Sequence, residues 1–125
     1  SMFHLDTTMV GAEAFISWCS NLDPDGLYYL TARDVVHHEA IRSDLDQRGL
    51  WVPGMRLLCK PHHGMDTLEF KIAMIQAITQ AVQVRNIVYV ENVQRLRAAA
   101  EDIDSDILTF ASALDAVNAL GEVCG

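Results

Sequence analysis

The 125 residues contain no CxxC pair, no internal repeat, no low-complexity tract and no apolar run approaching the roughly 18 residues that cross a bilayer as a helix. The three cysteines, Cys19, Cys59 and Cys124, are widely spaced and odd in number. That excludes a disulfide framework or a zinc ribbon as the organising device and leads us to expect reduced thiols in a cytoplasmic or nuclear setting. Neither a signal peptide nor a membrane span is expected. Positive charge is also scarce: nine Lys and Arg against 17 Asp and Glu give a formal charge of −8. Such a balance excludes a whole-surface electrostatic grip on nucleic acid. It leaves room for a local basic pocket, because Arg33, Arg42, Arg48, Arg56, Lys60 and Lys71 all fall between positions 33 and 71. The acidic stretch "EDIDSD", 101–106, reads as a solvated loop.

What is present is enough apolar material for a core. Half of the residues are hydrophobic and 21% are charged, so one domain covering 1–125 is expected. Short apolar runs recur as "MFHL" (2–5), "LYYL" (27–30), "MRLL" (55–58), "IVYV" (87–90) and "ILTF" (107–110). Several are β-branched or aromatic, and "DPDG" and "VPG" precede two of them, so all five read as buried strands. Between them lie helical patterns at 12–21, 34–48, 67–82, 93–101 and 112–120. Ile41 and Leu45 share a face in the second, Gly49 is its expected stop, and Thr67, after Asp66, would cap the third.

Strands alternating with helices imply an α/β fold, a three-layer sandwich with one five-stranded, mainly parallel sheet covered on both faces. Right-handed crossovers would place every strand's carboxyl end on one edge, where ligands of such sheets bind. The residues following the strands carry chemistry. Asp6 follows the first; Thr31 and Arg33 follow the second; Lys60 follows the third; Glu91 and Asn92 follow the fourth. A carboxylate can attack phosphorus, a hydroxyl and ammonium groups can hold phosphate oxygens, and a second acid can help hold Mg²⁺. The histidine pairs 37–38 and 62–63 point their neighbours apart and read as exposed loop residues rather than metal ligands. Trp18 and Trp51 read as packing residues.

In order, "FHLDTTM", "YYLTARD", "LLCKP", "LEFKIAMI" and "IVYVENVQRL" resemble the haloacid dehalogenase-like (HAD) phosphatase superfamily. The likeness is to the phosphatase part of polynucleotide kinase-phosphatases and to HAD domains attached to RNA-repair proteins, and it covers roughly residues 2–96. The resemblance implies a HAD-like, Rossmannoid fold with no sizeable cap, since only the 24 residues 7–30 separate Asp6 from Thr31. It implies Asp6 as nucleophile, Thr31 as the phosphate-binding hydroxyl, and Lys71 or Lys60 as the lysine, with Lys71 preferred. Arg33 would join the phosphate site, while Asp6, Glu91 and Asn92 would hold Mg²⁺.

Two positions depart from the family pattern. Thr8 stands where these phosphatases carry an acid that serves as general acid/base, and Asn92 stands where a second metal-binding acid is usual. The expected function is thus a Mg²⁺-dependent phosphomonoesterase acting on a phosphorylated substrate such as a nucleic-acid end. The alternative is a catalytically degenerate domain that serves as a binding or interaction module with a protein partner.

Overall fold

The computed structural model of the chain describes residues 12–22, 26–81 and 87–124. Helix α1 (Ala12–Leu22) is followed by strand β1 (Tyr28–Asp34), a 3₁₀ turn (Val35–His37) and helix α2 (His38–Gln47). Strand β2 (Arg56–Lys60) and helix α3 (Thr67–Ala81) come next. The order ends with β3 (Ile87–Val90), α4 (Gln94–Glu101), β4 (Ile107–Phe110) and α5 (Ala113–Cys124). Among the described residues no helix is long and apolar enough to cross a membrane.

Local chemistry sets several of these boundaries. Asp34 Oδ1 accepts the Val36 N–H at 3.2 Å, so a carboxylate caps the turn that leaves β1. Ile41 and Leu45, one helical turn apart, bury the inner stripe of α2. Gly49 then adopts φ 72, a left-handed conformation in which a side chain would be strained, and Leu50 N–H closes back on the Leu45 carbonyl at 2.9 Å. At α3 the cap is Asp66, whose Oδ2 accepts the Glu69 N–H at 3.0 Å.

The strands do not form the single five-stranded sheet of a three-layer sandwich that the sequence pattern implies. The described residues hold four strands in two short two-stranded parallel sheets, β1 with β2 and β3 with β4. The HAD-like, Rossmannoid fold expected from the resemblance is therefore corrected to a small α/β arrangement of paired strands. The physical reason is that apolar runs locate strands but do not choose their partners. Pairing is decided by backbone hydrogen bonds, and among the described residues none joins β1 or β2 to β3 or β4. The run expected as the first strand, 2–5, lies outside the described residues.

Alternation along β1 sends successive side chains to two clusters. Leu27 and Tyr29 pack with Ile16, Ile41, Leu45, Leu50, Met55 and Leu57. Leu30 points the other way, to Ile75, Tyr89, Ala100 and Ile107. The second cluster thus links the two sheets through side chains of α3 and α4 rather than through a shared hydrogen-bond ladder.

Candidate functional site

Four polar or charged side chains are buried among the described residues: Thr31, Lys60, Lys71 and Glu91. Lys60 ends β2, Glu91 directly follows β3 and Lys71 lies in the second turn of α3, whereas Thr31 lies inside β1, three residues before its end. Thr31 pairs in register with Cys59 near the end of β1, after which the register shifts before Asp34 meets Lys60. Inside that irregular stretch Thr31 Oγ1 accepts the Arg33 N–H at 3.3 Å. The hydroxyl stands in for a ladder partner where the bulge would otherwise leave a donor unsatisfied.

Lys60, the last residue of β2, sends its Nζ across the 61–66 loop. It donates to the Met65 carbonyl at 2.9 Å and contacts Thr67 Oγ1 at 3.4 Å. The Thr67 hydroxyl therefore receives Lys60 while Asp66 caps α3. One turn further along α3, Lys71 Nζ donates to Glu91 Oε1 at 2.8 Å, with both side chains essentially out of solvent. The first turns of α3 are thus tied to the carboxyl end of β2 by one lysine and to the carboxyl end of β3 by another.

Glu91 is the hub. Its Oε1 also accepts the Tyr89 hydroxyl at 2.9 Å, and its Oε2 accepts the Val93 N–H at 3.2 Å. Its own N–H reaches the Phe110 carbonyl at 2.9 Å, and its carbonyl accepts Arg97 Nη1 at 2.6 Å. One residue therefore fastens α3, β3, β4 and the start of α4. Burial pulls the Lys71 ammonium below its ordinary range, opposed by the hydrogen bond and the charge of Glu91. Burial pushes the Tyr89 phenol up, and the Glu91 carboxylate beside it pushes in the same direction. The Cys59 thiol is raised by burial, with Arg33 lowering it and Asp34 raising it.

The other sequence-derived candidates lie apart from this cluster. Arg33 and Asn92 are exposed, as are His37, His62 and His63. Asp6 and Thr8, read as nucleophile and as occupant of the acid/base position, lie outside the described residues. Among the described residues no group of three or more His, Cys, Asp or Glu side chains is placed to hold a metal ion. Trp51 packs partly buried against the first core cluster with the Arg42 guanidinium 5.0 Å from its ring centroid. Trp18 stacks on Phe15.

Reasoning from strand ends missed Tyr89, Val93 and Arg97. A signal for Tyr89 was available: it precedes Glu91 by two residues in an extended segment, which puts the two side chains on one face. Arg97 carried a weaker one, six residues on and within reach only after the intervening turn.

Alkaline pH offers a test of the buried phenols. Tyr29 donates to the Leu50 carbonyl at 3.2 Å, and its pKa too is raised by burial. For both tyrosines the folded-state pKa lies above the ordinary value of 10.0. Their contribution to stability is therefore complete below pH 10 and is lost as the pH climbs further, because only the unfolded chain ionises there. Lys71, shifted down, acts with the opposite sign, but only up to its ordinary pKa of 10.5, above which the phenols act alone. Urea midpoints should fall steeply above about pH 10, and Tyr89→Phe should flatten that fall; an equally steep fall in Tyr89→Phe would contradict the assignment of Tyr89.

No protein-family model matches this chain, and neither the curated proteins nor the solved structures contain a match.

Proposed function

We propose that the chain is a catalytically silent interaction module, related to HAD phosphatases through its motif order, in which the former phosphate-site residues serve as an internal fastening. The observation that carries this reading is the state of Glu91. Its carboxylate is buried and its two oxygens take three donors, from Lys71, Tyr89 and Val93. A Mg²⁺ ion needs oxygen ligands with free lone pairs and usually keeps several waters. Glu91 so engaged does not suit that role, and the exposed amide of Asn92 supplies no charge. The described residues therefore do not fit a resident magnesium.

The cations point the same way. Lys71 is neutralised by Glu91, and Lys60 is spent on the Met65 carbonyl and Thr67. That leaves Arg33 as the exposed cation of the phosphate set, too little to bind a phosphorylated nucleic-acid end against a net charge of −8. A protein partner fits this surface better than a phosphoryl substrate. Thiols at Cys19 and Cys59 that form no disulfide agree with a cytoplasmic or nuclear setting, which is part of the same proposal.

Hydrolysis of an aryl phosphate by the purified chain, with and without Mg²⁺, tests the reading. The expected result is no turnover above background in either condition. Mg²⁺-dependent turnover that disappears in both Asp6→Asn and Lys71→Met would overturn the module reading in favour of a slow phosphomonoesterase.

A further inference from the structure

We draw no further inference here: the strongest candidate, the 3₁₀ turn that leaves the carboxyl end of β1 with Val35 and Val36 exposed, is an apolar surface patch, and nothing among the described residues shows what would cover it.

Discussion

Lys71→Met is expected to lower the unfolding free energy by about 3–5 kcal/mol, the range found when one partner of a buried ion pair is removed. The side chain that remains, Glu91, would lose its counter-charge in a site with essentially no solvent access, holding only the Tyr89 hydroxyl and the Val93 N–H. Methionine fills nearly the same volume as the lysine stem, so the loss reports the missing charge rather than a cavity. Glu91→Gln added to Lys71→Met should recover much of the loss, because a neutral amide can still accept one of those hydrogen bonds. Urea denaturation of wild type, both single variants and the double variant measures this. A single Lys71→Met variant as stable as wild type would mean that the pair is open in solution.

Phe70→Ala is the other large effect, also about 3–5 kcal/mol, but from a different cause. Phe70 is 1% exposed, the neighbour of Lys71 on α3, and the largest side chain buried below 2% exposure in the described residues. Truncation removes apolar area from the interior and leaves a void that close-packed neighbours fill only in part. The Lys71–Glu91 pair should persist in this variant, so its alkaline profile should keep the shape set by Tyr89. Comparison of the two variants separates loss of packing from loss of the ion pair at adjacent positions. A Phe70→Ala loss below about 1 kcal/mol would place the ring at the surface.

The sequence made the elements legible wherever hydrophobic period and local chemistry agree. The runs 87–90 and 107–110 became β3 and β4 without change, and Gly49 ends α2 with the positive φ that its position implied. Strand β1 proved longer than its apolar run, extending through Thr31 to Asp34, because pairing with β2 continues as far as Lys60, beyond the last apolar residue of the run. Sheet organisation was not legible. Five apolar runs suggested one sheet, but an apolar run says only that a segment is buried, and partners are chosen by backbone geometry that leaves no mark in composition.

The site was partly legible for a physical reason. Thr31, Lys60, Lys71 and Glu91 were singled out by their positions after strands or at a helix start, and they are the buried polar side chains of the described residues. Position alone could not say how their charges are used. A lysine and a glutamate 20 residues apart are equally compatible with an open phosphate site and with a closed pair. The difference rests on burial and on the three donors that converge on Glu91, two of them from residues within two positions of it. Thr67 illustrates the same limit: its place at the start of α3 suggested a cap, whereas Asp66 caps the helix and the Thr67 hydroxyl receives Lys60.

The most direct test of the central claim, that Glu91 is engaged by Lys71 and not by a metal, is the coupling energy between these two residues with and without Mg²⁺. The four proteins of the Lys71→Met and Glu91→Gln cycle are unfolded in urea, once in chelator and once in excess Mg²⁺. The predicted result is a coupling near the upper end of the roughly 0.5–3 kcal/mol seen within one hydrogen-bonded network, the same in both conditions. A coupling that collapses in Mg²⁺ while the wild type is stabilised by the ion would show Glu91 exchanging its lysine for a metal, and would contradict the account.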